Sequence, residues 1–299
     1  MNPTSLTITL SDGRTLGYAL YGSTSPSAQS VFYFHGTPSS RLEAAILASP
    51  ATALNIRIIS VDRPGMGLST FQAHRKILDW PRDITELANH LNLPTFSILA
   101  YSSGLAYAFA CARVIPRNRL LGVAILAGIF PEKWDGLMFM RPMQHLMTSG
   151  LSHLAGSSMN SQWGELARSS DPARFYEACM KEMPARPEVE QRALKGSENI
   201  ALFDPMREAF RVDGKGIGLE LKVQAADWGF SLGDVDCAGG RVKLWHGAKD
   251  VNVPVERASK AMGSLAGAEL QVVEDEGHVG ILIHHGESAL GFLAQKLSG

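Results

Sequence analysis

Serine, aspartate and histidine residues follow apolar segments at three places along the chain. Ser102 and Ser103 end the run FSILAYSSG, Asp250 follows RVKLWHG, and His278 follows ELQVVEDEG. A serine hydroxyl becomes a nucleophile when an adjacent base takes its proton, and that base needs a third group to orient it. These residue types therefore predict nucleophilic catalysis, provided that the fold brings the side chains together.

Apolar segments that end in turns alternate with helix-like segments along most of the chain. Strands that are apolar on both faces and alternate with helices indicate an α/β fold, with a mostly parallel sheet covered on both sides. The pattern LTITL, Asp-Gly, TLGYALYG predicts an N-terminal hairpin before this sheet. Strands are expected at 31–36, 57–65, 96–104, 120–128, 241–250 and 269–278, and helices near 41–53, 76–92, 103–115, 254–265 and 287–297.

The alternation stops near residue 130 and resumes about a hundred residues later. The intervening segment has helix-like stretches broken by Gly, Ser and Pro, and it holds eight of the eleven methionines. Methionine adapts to irregular apolar pockets, so part of this set is expected to face a substrate. We predict a core formed by residues 1–130 and 233–299, with a helical insertion at 131–232.

Five motifs stand at or beside expected strand ends, where open parallel sheets bind ligands. They are HGTP, DRPGMGLS, AYSSG, WHGAKDVNVP and GHVG. In this order and approximate spacing, the sequence resembles the α/β-hydrolase family over nearly its whole length. The resemblance implies the α/β-hydrolase fold, with a mostly parallel central sheet flanked by helices, and a helical cap at 131–232 over the active site.

The resemblance also implies the roles of individual residues. Ser102 would be the nucleophile, Asp250 the acid and His278 the base of a catalytic triad. The oxyanion hole would use the backbone N–H groups of Ser103 and Thr37. No cofactor and no metal are needed for this chemistry.

The two adjacent serines are distinguished by their neighbours. The residues two before and two after the nucleophile must be small, because the chain crosses itself closely at that turn. Ser102 has Ala100 and Gly104 at these positions, whereas Ser103 has a tyrosine and a leucine. The prediction is therefore Ser102, with Ala100 adding one methyl group where the family pattern has glycine.

Several other residues could take these roles or only structural ones. Asp236 is a possible substitute for Asp250, and the pair His284-His285 competes with His278. The acidic run 274–276 could form a solvated turn or raise the basicity of His278.

Four further polar residues at strand ends have simpler interpretations. His35 and His246 each precede a glycine, and their expected role is to hydrogen-bond loops. Asp62 and Arg63 are expected to brace the turn that follows their strand.

Composition narrows the possible partners and location. With 28 Lys and Arg against 29 Asp and Glu, the 299-residue chain has no basic excess for binding nucleic acid. Three cysteines, Cys111, Cys179 and Cys237, lie far apart without zinc-site spacing and suit a reducing compartment. No secretory signal is visible, and the longest apolar run, LLGVAILAGIF, is too short to span a bilayer. We expect a cytoplasmic protein whose partner is a small-molecule substrate.

The function predicted is that of a serine hydrolase. It would cleave an ester, lactone or related acyl bond of a small to medium apolar substrate through an acyl-enzyme. One alternative is a non-hydrolytic enzyme of the same fold, performing cyclisation, C–C cleavage or acyl transfer in a biosynthetic pathway. The other is a ligand-binding pseudoenzyme. The sequence leaves the substrate and the oligomeric state open.

Overall fold

The computed structural model describes residues 2–131, 152–195 and 202–298. In these residues eight β-strands form one sheet with the order β1-β2-β4-β3-β5-β6-β7-β8. The strands are β1 (Leu6–Thr9), β2 (Thr15–Gly22), β3 (Gln29–Phe34), β4 (Ile56–Val61), β5 (Phe96–Tyr101), β6 (Leu120–Leu126), β7 (Val242–Gly247) and β8 (Glu269–Val273).

Helices connect the strands and cover the sheet. They are α1 (Ala48–Ala53), α2 (Trp80–His90), α3 (Gly104–Val114), α4 (Ser152–Met159), α5 (Glu165–Arg168), α6 (Ala173–Glu182), α7 (Glu188–Ala193), α8 (Phe203–Ala209), α9 (Lys215–Ala225), α10 (Val255–Met262) and α11 (His278–Ser298). Short 3-10 segments occur at Arg41–Leu47, Ile77–Asp79, Met183–Ala185 and Leu232–Asp234, and a π-helical turn at Asn160–Gly164.

Strand direction explains why polar residues gather at one edge of the sheet. β2 pairs antiparallel with both β1 and β4, whereas the strands from β4 across to β8 pair in parallel. The residues after β3, β5, β7 and β8 therefore emerge at the same edge. The predicted mostly parallel sheet flanked by helices is confirmed.

Two apolar cores, one on each face of the sheet, hold the helices. Successive residues of β3 point to opposite faces. Phe32 and Phe34 pack in one core with residues of α2, α3 and α10, and Val31 and Tyr33 pack in the other with residues of α1 and α11. This two-sided burial explains why the central strands are continuously apolar in the sequence.

The last helix differs from the sequence prediction, which began it near residue 287. α11 begins at His278 and runs to Ser298. Its glycines disfavour a helix locally, but Ile281, Leu282 and Leu290 are buried in the core against the sheet. Tertiary packing therefore extends the helix by about two and a half turns and places His278 at its first residue.

The segment between β6 and β7, residues 131–232, is called the inserted segment below. Its described residues form helices and turns, with no β-strand among them. A third apolar cluster attaches it to the sheet, since Met66 from the loop after β4 packs with Phe175, Phe203 and Ile217. The methionines Met138, Met140, Met143 and Met147 lie outside the described residues. In the described ranges, no helix is both long and apolar enough to cross a bilayer.

Candidate active site

Ser102 occupies a sharp turn between β5 and α3. Its φ is +54°, a left-handed conformation that is strained for a non-glycine residue. The strand ends at Tyr101 and the helix begins at Gly104. A Cβ atom on Gly104 would lie 2.4 Å from the carbonyl oxygen of Phe34, so only glycine fits there. At this turn the Ser102 hydroxyl faces the ring of His278.

Ser102, His278 and Asp250 form a continuous hydrogen-bonded chain. Nε2 of His278 lies 3.0 Å from Oγ of Ser102, and Nδ1 lies 2.7 Å from Oδ2 of Asp250. A carboxylate only accepts hydrogen bonds, so the ring carries its proton on Nδ1. Nε2 then presents a lone pair to the serine hydroxyl. All three residues are buried.

The carboxylate of Asp250 is oriented by the backbone that follows it. Oδ1 accepts hydrogen bonds at 2.9 Å from the N–H groups of Asn252 and Val253, which leaves Oδ2 for His278. Nε2 of His246 lies 3.5 Å from Oδ2, but burial lowers the pKa of His246, so this ring is neutral. The carboxylate is therefore available to stabilise the positive charge that His278 acquires when it takes a proton during the reaction.

The two residues predicted to build the oxyanion hole lie side by side. The hydroxyl groups of Thr37 and Ser103 are 2.8 Å apart, and Thr37 lines the same cavity as Ser102. This contact joins the turn after β3 to the turn after β5. The prediction that their backbone N–H groups form an oxyanion hole requires such proximity of the two turns.

The side chain of Arg63 connects these two turns. Its buried guanidinium donates hydrogen bonds to four oxygens: the carbonyls of His35 and Gly36 and the hydroxyls of Thr37 and Ser103. A planar guanidinium with five donors suits such a fixed array. From the sequence, Arg63 was expected only to brace the turn that follows its own strand.

Glu220 in α9 is the acidic partner of Arg63. Its Oε1 lies 3.3 Å from Nε of Arg63, and its Oε2 accepts hydrogen bonds from Arg75 at 2.6 Å and from the Tyr107 hydroxyl at 2.7 Å. Burial alone would raise the pKa of Glu220, but the two guanidinium groups and hydrogen bonds from Gln224 and Arg75 lower it to about 2. One ionised carboxylate thus compensates two buried cations.

Gln224, one turn after Glu220 in the same helix, contacts the nucleophile turn directly. Its Nε2 donates to the carbonyl oxygen of Ser103 at 2.8 Å and to Oε1 of Glu220 at 3.0 Å. The inserted segment therefore supports the turn of Ser103 in two ways: Gln224 bonds it directly, and Glu220 pairs with Arg63, which bonds it in turn.

We expect Glu220→Gln to lower the free energy of unfolding by about 3–5 kcal/mol at pH 7, because it leaves Arg63 and Arg75 buried without a counterion. The wild-type carboxylate stabilises the fold above its unfolded pKa of about 4.5, and this contribution is lost as the pH falls toward 2. Urea unfolding at pH 7 and pH 3 should therefore show a difference that shrinks in acid. Lys222→Gln, at an exposed position of the same helix, is the control. Equal stability of both variants at pH 7 would contradict the prediction.

A cavity of about 440 Å³ opens beside Ser102 and His278, between the sheet edge and the inserted segment. Much of its wall is apolar, formed by Ile129, Trp163, Leu202, Phe203, Met206 and Leu282. Glu182 and Arg186 add opposite charges. Met206 is a methionine of the inserted segment that lines this cavity, in keeping with the predicted role of part of that set.

Asp236 and His284, the alternative candidates for the acid and the base, contact other residues. Asp236 pairs with Arg117 and with Arg241, and these contacts lower its pKa to about 2. His284 is hydrogen-bonded to Glu276 at 2.7 Å on the exposed side of α11. The structure therefore does not bring Asp236 or His284 to Ser102.

The other polar strand-end residues hold loops. His35 bonds the Gly36 carbonyl through Nδ1 at 2.7 Å, and burial lowers its pKa well below the usual value. His246 bonds the Val253 carbonyl at 2.8 Å. Asp62 accepts the backbone N–H of Leu68 at 2.9 Å, which braces the turn after β4.

Sequence reasoning missed four polar residues around this site. Glu43 accepts hydrogen bonds from the Gly36 N–H and the Tyr33 hydroxyl, and Glu190 binds the backbone at His278. Glu220 and Gln224 were missed as well. Glu220 lies between two leucines in IGLELKV, which is a weak signal of a buried partner, and the others carry no recognisable motif.

A mostly parallel sheet with a serine in the turn after β5, an acid after β7 and a histidine after β8 defines an α/β-hydrolase fold. The chain belongs to the alpha/beta hydrolase family, whose model matches residues 31–295. The family resemblance seen in the sequence is therefore confirmed. No curated protein matches the sequence. In the described part of the chain, no group of three His, Cys, Asp or Glu could hold a metal ion.

Solved structures share the fold over nearly the whole chain. A structure reported for carboxylesterases of the ammonia-oxidizing Thaumarchaeon Nitrososphaera gargenis has a TM-score of 0.70 at 15% identity, covering 98% of this chain and 99% of that one. An esterase from Exiguobacterium antarcticum has a TM-score of 0.68 at 20% identity, covering 99% and 100%. An enol-lactonase from Burkholderia xenovorans LB400 has a TM-score of 0.64 at 15% identity, covering 98% and 100%. At such identities the likeness concerns the fold.

Proposed function

We propose that the protein is a serine hydrolase that cleaves an ester, lactone or related acyl bond through an acyl-enzyme. The observation that carries the proposal is the hydrogen-bonded chain from Ser102 through His278 to Asp250 at the wall of a cavity. A buried serine hydroxyl with an imidazole nitrogen at 3.0 Å is arranged for proton transfer. The esterases and lactonase of the same fold agree with this chemistry.

In the first half of the reaction, Ser102 Oγ attacks the acyl carbon while its proton passes to Nε2 of His278. Asp250 stabilises the imidazolium through its bond to Nδ1. The negative charge that develops on the carbonyl oxygen is stabilised by the backbone N–H groups of Ser103 and Thr37. The intermediate then collapses: its C–O bond to the leaving alcohol breaks as His278 returns the proton to that oxygen.

In the second half, water attacks the acyl-enzyme. His278 takes a proton from the water, and a second tetrahedral intermediate forms at the same oxyanion site. Its collapse breaks the bond to Ser102 and returns the proton to the serine oxygen. The products are a carboxylic acid and the regenerated enzyme, so the cycle balances without a cofactor.

The size and lining of the cavity support the proposed substrate class. Its volume of about 440 Å³ and its largely apolar lining suit an acyl or alcohol group of small to medium size. Trp163, Phe203 and Met206 of the inserted segment supply part of this wall. We accordingly propose that residues 131–232 act as a cap that shapes substrate preference over the core of residues 1–130 and 233–299.

A fluorophosphonate probe and a series of p-nitrophenyl esters test this function. We expect labelling at Ser102, identified by peptide mass spectrometry, because the activated hydroxyl attacks the phosphorus centre. We also expect turnover of esters from acetate to octanoate, with release of the free acid. Absence of labelling would favour a ligand-binding pseudoenzyme. Labelling without hydrolysis of any ester in the series would favour non-hydrolytic chemistry.

A further inference from the structure

A buried glutamate of the inserted segment binds the backbone at the base. Glu190 lies in α7 and is only 2% exposed. Its Oε1 accepts the N–H of His278 at 2.5 Å, and its Oε2 accepts the N–H of Val279 at 3.0 Å. Both carboxylate oxygens are therefore directed at the start of α11, where His278 is the first residue.

The start of this helix is an unfavourable place for a general base. The first N–H groups of a helix have no intrahelical acceptors, and the helix dipole places partial positive charge there. α11 is 21 residues long, so this charge is fully developed. A ring attached to its first residue would be protonated less readily, and the imidazolium formed during catalysis would be destabilised.

The local sequence makes room for the carboxylate. A Cβ atom on Gly277 would lie 2.2 Å from Oε1 of Glu190, so a larger residue there would displace it. On the other side, the Tyr101 hydroxyl donates to the carbonyl oxygen of His278 at 3.4 Å. The His278 backbone is thus held at its N–H by Glu190 and at its carbonyl by the residue that precedes Ser102.

The other charged groups around His278 do not replace Glu190. Asp250 bonds the ring itself, and burial keeps the phenol of Tyr101 and the ring of His246 uncharged by raising the pKa of the first and lowering that of the second. Glu276, in the turn before α11, pairs with His284. Across the cavity stand Glu43, Glu182 and Arg186.

We propose that Glu190 is a positioning residue for His278, which fixes the backbone of the base and offsets the positive end of α11 so that the imidazolium can form. The proposal rests on the proposed function, because it gives a role to the base of that reaction. It also makes the inserted segment part of the proton-transfer apparatus.

The test compares Glu190→Gln with wild type. Glutamine keeps the length of the side chain and one acceptor oxygen but removes the charge. The acid limb of the kcat/KM profile is expected to move to lower pH by about 0.5–1 pH unit, because the imidazolium loses stabilisation. kcat should fall about five- to tenfold while KM changes by less than about twofold. Glu188→Gln, at an exposed position of the same helix, is the control and should match wild type.

Two further measurements separate an electrostatic role of Glu190 from a purely structural one. Glu190→Asp retains the charge, so its acid limb should stay within about 0.3 pH unit of wild type even if its stability falls. NMR titration of ¹³Cε1-labelled histidine measures the pH midpoint of His278 protonation without requiring turnover. The His278 signal is assigned by its absence from the spectrum of His278→Ala. An unchanged midpoint in folded Glu190→Gln would overturn the proposal. If wild type hydrolyses no ester but the midpoint still moves, the proposed function fails and the electrostatic role of Glu190 stands.

Discussion

Ser102→Ala is expected to lower kcat for ester hydrolysis by a factor of roughly 10⁶, because it deletes the attacking oxygen of the proposed triad. The loss corresponds to about 8 kcal/mol of transition-state stabilisation. The substitution removes one oxygen at a buried position, and alanine fits the space, so the fold should remain intact. Turnover of one p-nitrophenyl ester and the rate of fluorophosphonate labelling measure the effect.

Ser103→Ala is the matched control beside it. Its backbone N–H stays in place, which is what the proposed oxyanion hole requires, but the hydroxyl contacts to Thr37 and Arg63 are lost. We expect a loss of only about tenfold through small shifts of the turn. An inactive Ser103→Ala with an active Ser102→Ala would move the nucleophile by one residue. Full activity in both variants would exclude a serine nucleophile here.

Asp250→Asn is expected to lower kcat by about 10⁴ without disturbing the fold. Oδ1 of Asp250 accepts two backbone N–H groups, so an asparagine places its oxygen there and its amide nitrogen toward His278. An amide N–H facing Nδ1 forces the ring proton onto Nε2, and the ring can no longer accept the proton of Ser102.

Steady-state turnover of a p-nitrophenyl ester, with circular dichroism to verify folding, measures the Asp250→Asn effect. Asp236→Asn is the control, since Asp236 is engaged by Arg117 and Arg241. We expect it to keep wild-type kcat. Loss of activity in Asp236→Asn with retention in Asp250→Asn would assign the third role to Asp236.

Much of the fold could be predicted from sequence because its signals are local. Each parallel strand is a short apolar run that ends in a turn, and the order of these turns placed Ser102, Asp250 and His278 at one sheet edge. The predicted start of the last helix, near residue 287, was wrong because packing of Ile281 and Leu282 against the sheet extends α11 back to His278. The boundaries of the cap and the catalytic roles of the site residues stay predictions.

The support of the site could not be predicted because its contacts are long-range. Glu190 binds the backbone of a residue 88 positions later, and Glu220 accepts from Arg75, 145 positions earlier. Neither has a periodic or motif context that identifies its partner. Buried charges are matched by the three-dimensional arrangement, and a single sequence shows only that a charged residue interrupts an otherwise apolar segment.

Described residues of the inserted segment hold both catalytic turns through hydrogen bonds, and this limits how substrate can reach the active site. Glu220 and Gln224 hold the turn of Ser103, while Glu190 holds His278. Swinging the whole segment outward would break charged hydrogen bonds, each contributing about 1.5–3 kcal/mol, at both places at once. Substrate and product are therefore expected to enter and leave through local side-chain movement at exposed residues of the cavity wall, Glu182 and Arg186. For the same reason, a chimera that exchanges this segment with a relative's would lose turnover as well as selectivity.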